Sequence, residues 1–283
     1  MKTTQLKITF LIGIFLLLNL FAFSQEISEM REVNEFSSIK AGSIFKIEYS
    51  TQDNYSLEIN TDQEILEDIQ TEVSKGILNI DMKGSARNRE VKIKITSPTL
   101  TGIDLSGASS FKSVNSISTD EFSVDLSGAT NASIKIETND LSSRISGASN
   151  FQVSGKAVEH ISELSGAAQL RAANLETQTT NIKTSGAAYA RVLATDTLIA
   201  DASGTSKISF DNQPDNQSFN TSGMGNINGF TKENLDNSME YDIDENGDTT
   251  KIQLGNRDLI IVEDKENTNL KVHKKKKSFR DNW

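Results

Sequence analysis

A four-residue phrase returns seven times in the middle of this chain, and its spacing limits the possible folds more than any other feature. It reads Leu105-Ser106-Gly107-Ala108, Leu126-Ser127-Gly128-Ala129, Ile145-Ser146-Gly147-Ala148 and Leu164-Ser165-Gly166-Ala167. It continues as Thr184-Ser185-Gly186-Ala187, Ala202-Ser203-Gly204-Thr205 and Thr221-Ser222-Gly223-Met224. Successive glycines lie 21, 19, 19, 20, 18 and 19 residues apart. A fixed period of this length marks a solenoid, in which each repeat buries its apolar side against its neighbours.

Aligning the repeats on their glycines turns the period into columns. Four residues after each glycine stand Phe111, Ala132, Phe151, Leu170, Ala190, Ile208 and Ile227. One step further stand Lys112, Ser133, Gln152, Arg171, Arg191, Ser209 and Asn228, all polar. The column after that is again mostly apolar, with Ile134, Val153, Ala172, Val192 and Phe210. Alternation with period two is a strand with one buried face. A second strand precedes each glycine, with Leu105, Leu126, Ile145 and Leu164 two positions before it and a polar residue three before. Glycine permits the backbone angles of a tight corner, and alanine is expected to fill its crowded inner side.

The period would also suit leucine-rich repeats, but their Leu-x-x-Leu-x-Leu spacing and helical return are missing. A propeller blade needs about twice the period. Ser, Thr, Asn and Asp between the glycines disfavour helix interiors. The expected fold is therefore all-β: a single-stranded right-handed parallel β-helix of about 19 residues per rung, with two or three short strands in each. Like residues then stack about 4.8 Å apart from rung to rung. Composition agrees: only 6% of residues are aromatic, as a narrow interior requires, and the two prolines spare the backbone ladders.

Stacking predicts an outward ladder of ion pairs in the column three before the glycine. Asp125, Arg144, Glu163, Lys183 and Asp201 alternate in sign over five rungs. Asp104 above Asp125 breaks the alternation and is expected to leave an uncompensated repulsion.

The ends differ from the middle. Lys2 and Lys7, an apolar run from Ile8 to Phe21 and the small residues Ala22 and Ser24 read as a signal peptide over 1–24. The mature chain is thus expected to be exported, to a periplasm, an outer-membrane surface or the medium, with no transmembrane helix. Residues 25–100 alternate without the glycine phrase and read as N-terminal rungs and a cap, ahead of the repeat rungs of 101–230. Residues 231–283 read as a C-terminal β-hairpin extension: Met239 to Ile243 and Thr249 to Leu254 flank Glu245-Asn246-Gly247-Asp248. Residues 25–270 carry 21 Lys and Arg against 38 Asp and Glu, whereas residues 271–283 are basic. An acidic body does not suit nucleic acid.

The segments "FSSIKAGSIFKIEYS", "VSKGILNIDMKG" and "VKIKITSPTLTGIDLSGASSF", followed by the serial Ser-Gly-Ala corners, resemble the secreted putative auto-transporter adhesin family known as the head GIN domain. Its members are common in Bacteroidetes-type bacteria, and the resemblance covers about residues 33–230. It implies a right-handed β-helix, export to the envelope and an adhesive or glycan-related role. It implies no catalytic residue.

The residues themselves exclude most chemistry. The chain has no Cys and only two His, so thiolate metal sites, cysteine nucleophiles and His-rich metal sites are absent. Serines repeated at seven corners are structural, since a nucleophile needs one special partner. His160 falls in a column with Phe122, Leu141 and Leu198 and reads as a core residue. Asp242, Asp244 and Asn246 match the start of a calcium loop, but Gln253 stands where that loop needs Glu. A polar turn is expected, and no metal or cofactor. Lys112, Arg171 and Arg191 share an outward column, a possible ligand face for an acidic sugar. Two function classes remain: a non-enzymatic envelope protein that binds a glycan or another envelope protein, and a β-helix enzyme resembling a polysaccharide lyase that acts on acidic glycans. The oligomeric state is not readable.

Overall fold

The computed structural model describes residues 26–84 and 90–230, and beyond them the backbone of four strands between 239 and 276. The residues assigned to a signal peptide, 1–24, lie outside the described residues, as does most of the calcium-like stretch, 244–248.

The protein is an all-β solenoid of about seven turns at a spacing near 19 residues. Its central strands are β10 (Ile117–Leu126), β11 (Asn131–Ile145), β12 (Asn150–Leu164), β13 (Gln169–Thr184) and β14 (Tyr189–Ala202). Each pairs in parallel with the next. β11, β12 and β13 run for 15, 15 and 16 residues, so a turn of the coil is one long bent strand rather than two or three short ones. The pairing is interrupted at the bend and resumes in register beyond it, as from Thr138↔Ala157 to Asp140↔Glu159, because a bend needs only a local break in alternation. In β11 the buried and exposed positions alternate up to Thr138; then Asn139 and Asp140 both face out before Leu141 turns in.

The glycine corners join one long strand to the next. Each corner stacks on the one before: the amides of Ala129, Ala148, Ala167 and Ala187 donate to the carbonyls of Gly107, Gly128, Gly147 and Gly166, all at 2.8 Å. The alanines do not fill the inside of the corner. Ala108, Ala129, Ala148, Ala167 and Ala187 are exposed, and the next residue points inward instead. Ser109, Thr130, Ser149, Ala168, Ala188 and Ser206 are all buried there. The positive φ at glycine keeps Ser-Gly-Ala on the outside of the turn, so the return to the core comes one residue later than the sequence suggests.

The N-terminal end is stacked out of chain order. β2 (Ser38–Ala41) and β3 (Phe45–Thr51) form one rung, with a corner at Gly42 and Ser43. On one side of it lie β8 (Gly102–Leu105) and β9 (Ser110–Ser113), the start of the regular coil. On the other side lie β6 (Ile77–Met82) and β7 (Val91–Ser97), which come between them in sequence. β4 (Ser56–Asp62) then adds antiparallel to β7 and β1 (Glu26–Arg31) antiparallel to β4. β5 (Ile69–Ser74) adds antiparallel to β6. A helical turn, Gln63–Leu66, tucks the buried side chains of Ile65 and Leu66 over the end of the core. Arg31 ties the pieces together: its guanidinium donates to the carbonyls of Ile69, at 2.7 Å, and Leu66, at 3.1 Å, and pairs with Glu29 at 2.7 Å. These antiparallel additions close an edge that would otherwise offer free backbone groups.

At the other end β15 (Lys207–Asp211), β16 (Asn216–Thr221) and β17 (Asn226–Phe230) complete the coil. Beyond it, β18 (Met239–Ile243), β19 (Thr249–Leu254), β20 (Arg257–Val262) and β21 (Lys271–Lys276) form a separate four-stranded antiparallel sheet.

Candidate functional site

A groove of about 720 Å³ runs along one side of the coil, crossing the rungs from Thr99 to Thr195. Three columns build it. One wall is Ser118, Glu137, Lys156 and Glu176, paired in register from rung to rung. The floor is Thr119, Thr138, Ala157 and Thr177. Asp120, Asn139, Val158 and Gln178 form the second wall. The floor is rigid because its hydroxyls are spent on the bend: Thr138 Oγ1 donates to the Asp120 carbonyl at 2.9 Å and Thr177 Oγ1 to that of Leu193 at 2.8 Å. Thr195 Oγ1 donates in turn to the Thr177 carbonyl at 3.0 Å. The free polar groups therefore come from the walls, where three carboxylates, Asp120, Glu137 and Glu176, stand against the one ammonium of Lys156. Val158, 44% exposed, adds an apolar contact.

A second, smaller groove of about 400 Å³ runs beside the glycine corners and is lined by the ion ladder. Asp125, Arg144, Glu163, Lys183 and Asp201 are in register across β10 to β14. Within it Arg144 and Glu163 approach to 3.7 Å, and Asp201 accepts from Asn220 at 3.2 Å. Asp104 is not uncompensated. Lys40, on the out-of-order rung, pairs with it at 2.7 Å, and that hydrogen bond and charge hold the lysine above its ordinary pKa, with a smaller contribution from Asp125. The sequence could not show this partner, because Lys40 reaches the column only through the rearranged stacking. The corner serines in this groove donate to the previous rung: Ser146, Ser185 and Ser203 to the carbonyls of Leu126, Leu164 and Thr184.

The family described as putative auto-transporter adhesin, head GIN domain, matches residues 35–214. The chain belongs to that family. Among solved structures, a putative adhesin from Bacteroides fragilis is 25% identical with a TM-score of 0.71, covering 74% of this chain and 98% of its own. A putative adhesin from Parabacteroides merdae is 18% identical with a TM-score of 0.60, over 73% and 96% of the two chains. A putative lipid binding protein from Parabacteroides distasonis is 18% identical with a TM-score of 0.59, over 73% and 97%. No functionally curated protein matches the chain.

In this head GIN domain the seven corner glycines, Gly107, Gly128, Gly147, Gly166, Gly186, Gly204 and Gly223, all have φ between 67° and 79°. A Cβ built on Gly186 would meet the Gly166 carbonyl oxygen at 2.8 Å, so both the angle and the space require glycine.

In the column of the expected ligand face, Arg171 and Arg191 lie side by side on neighbouring strands, and Lys112 stands apart. Arg191 is committed to Asp211 through four contacts of 2.9–3.2 Å. Arg171 is exposed, with Gln169 Oε1 at 3.2 Å. Lys112 lies three rungs from Arg171, through Ser133 and Gln152.

His160 is completely buried. Its Nε2 is 3.1 Å from Ser143 Oγ, which itself donates to Ser162 Oγ at 2.8 Å. Burial pushes the imidazole pKa down to about 4, and Nδ1 has no partner. No substrate reaches a pair enclosed in this way. Among the described residues no group of three or more acids and histidines is placed to hold a metal ion, and no helix is long and apolar enough to cross a membrane.

The large groove was not found from sequence. Its columns lie in mid-rung, where β13 carries an extra residue relative to β12, and β14 departs from β13 by further register shifts. Counting from the glycines loses alignment there. The signal that survives is Glu137, Lys156 and Glu176 recurring at 19- and 20-residue steps.

Proposed function

We propose that this protein is a non-catalytic binding protein of the bacterial envelope, exported as its N-terminus suggests, which holds an extended glycan in the large groove. The observation that carries this reading is the groove itself: a rigid floor and one polar wall paired in register across consecutive rungs, faced by a second, mixed wall of Asp120, Asn139, Val158 and Gln178. A repeated wall suits a polymer better than a compact metabolite. Membership of an adhesin-type family and likeness to putative adhesins support the same class. The groove also holds acids and a lysine, Glu137, Lys156 and Glu176, the groups that a lyase-like reading would need, and the activity assay below separates the two readings. Elsewhere among the described residues, Arg191 is bound to Asp211, and the Ser143–His160 contact is sealed in the core.

A glycan array probed with the mature protein tests the proposal. Binding that is lost in the double variant Asn139→Ala/Gln178→Ala supports it. Binding that persists in that variant places the ligand elsewhere, and a blank array counts against a glycan altogether. Release of unsaturated sugars from acidic polysaccharides would show catalysis and overturn the non-enzymatic reading.

A further inference from the structure

The repeat of the groove narrows the ligand class, and this step rests on the glycan reading above. We infer that the groove takes a neutral polysaccharide lying parallel to the coil axis, with one sugar unit per rung.

Three observations lead there. First, the wall and floor positions recur at the strand spacing of about 4.8 Å. This is close to the advance of one pyranose ring in an extended β-linked chain. An extended polypeptide advances only about 3.3 Å per residue, so a peptide along the same axis drifts out of step by the second or third rung. A peptide running with the strands would instead need a free sheet edge, and the groove lies on a face whose strands are paired on both sides. Second, the wall positions recur on every rung, Glu137 opposite Asn139, Lys156 opposite Val158 and Glu176 opposite Gln178, so a charged group stands at the same place each time. A periodic site is complementary to a periodic ligand. Third, the groove carries three carboxylates, Asp120, Glu137 and Glu176, and one ammonium, Lys156, so a polyanion is repelled while the hydroxyls of a neutral sugar find both donors and acceptors.

The groove has no aromatic ring among its lining residues, so no single sugar is gripped strongly by stacking. Affinity must accumulate by length. Thr99 and Thr195 mark its ends on rungs five steps apart, a span of roughly 24 Å at this spacing. Binding should therefore strengthen with each sugar up to about five or six units and then level off.

The test uses the mature chain and two neutral series, β-1,4-linked glucose and β-1,4-linked mannose oligomers from two to eight units, measured by calorimetry. An oligogalacturonate of matched length serves as the acidic comparison. The expected result is a Kd that falls with each unit in at least one neutral series and is flat beyond six. The acidic oligomer should bind about tenfold more weakly, with the gap shrinking as salt rises. Glu137→Gln and Lys156→Ala should weaken the six-unit ligand by about two- to tenfold, the loss of one hydrogen bond, and leave the two-unit ligand unchanged when it binds elsewhere along the groove. Circular dichroism confirms that these exposed substitutions leave the coil folded. Full affinity already at two units overturns the one-sugar-per-rung register but leaves the groove as a glycan site. Preference for the acidic oligomer overturns the neutral class. Absence of binding in both neutral series overturns this inference, and the glycan reading falls with it only when the acidic oligomer and the array are blank as well.

Discussion

Replacing Gly186 by alanine separates two reasons for a glycine, because the same chain contains a glycine with only one of them. Gly186 has φ +72° and its Cβ would sit 2.8 Å from the Gly166 carbonyl oxygen. Gly84 has φ +87° and nothing within 4 Å of its Cβ. At Gly84 alanine adds the left-handed backbone cost of about 1–2 kcal/mol, reduced by about 0.4–1 kcal/mol because the unfolded chain loses freedom. At Gly186 the same balance applies, plus about 1–3 kcal/mol for forcing a methyl against a backbone that two ladders hold in place. Gly186→Ala should thus cost about 2–4 kcal/mol and Gly84→Ala about 1 kcal/mol. For a domain of this size these are falls in Tm of about 5–15 °C and about 2–4 °C. Ser43 provides the reverse experiment. It heads the corner column with φ +73° despite its side chain. Its neighbours on the far side, β6 and β7, are separated by eight residues in sequence, against four at Gly107, so the four-residue glycine corner does not continue there. Ser43→Gly should raise stability by about 0.5–1 kcal/mol. Thermal melts of the three variants followed by circular dichroism give the comparison. Equal losses for Gly186→Ala and Gly84→Ala would refute the claim that rung-to-rung carbonyl contact demands glycine.

Three further outcomes follow from named contacts. The folded His160 imidazole has its pKa lowered to about 4, below the ordinary 6.5, so the unfolded chain binds the proton first. Its contribution is intact above pH 6.5 and is lost as pH falls towards 4, by about 3 kcal/mol in total; urea melts of His160→Leu against wild type should show that extra slope gone. Arg31→Ala should remove about 2 kcal/mol and open the N-terminal cap first, read as faster hydrogen exchange in β1 and β5 than in β12. Arg144→Glu sets three acids in succession between Asp125 and Glu163, and its cost, within about 1 kcal/mol for exposed groups, should vanish at high salt in paired melts.

Much of the coil could be read before any coordinates. The glycine period predicted the turn length, and the columns on either side of each corner assigned inward and outward residues, because stacking forces like onto like. Three things were not legible, each for a physical reason. Ala was expected inside the corner, but positive φ carries it outward and puts Ser109 or Ala168 inside. The groove columns drift out of glycine-anchored alignment, since the coil absorbs length differences by bulges in mid-rung such as that near Ala172. Lys40 could not be matched to Asp104, because chain order says nothing about which of two faces of a rung a later segment will cover.

That last feature has a consequence for how the molecule comes into being. The rung of β2 and β3 is an inner layer from the start, with residues 77–97 on one side and residues 102–113 on the other. It cannot be finished by its own residues, so the first complete object is a three-layer block that closes only once about 113 residues are present. After closure one edge is sealed and one remains. Chain delivered N-terminus first then has a single place to add, one turn for every 19 residues or so, each turn templated by its predecessor. Such a block would serve as a seed with a direction, and pulse-labelled hydrogen exchange during refolding should then show protection in β2 and β3 before β13 and β14.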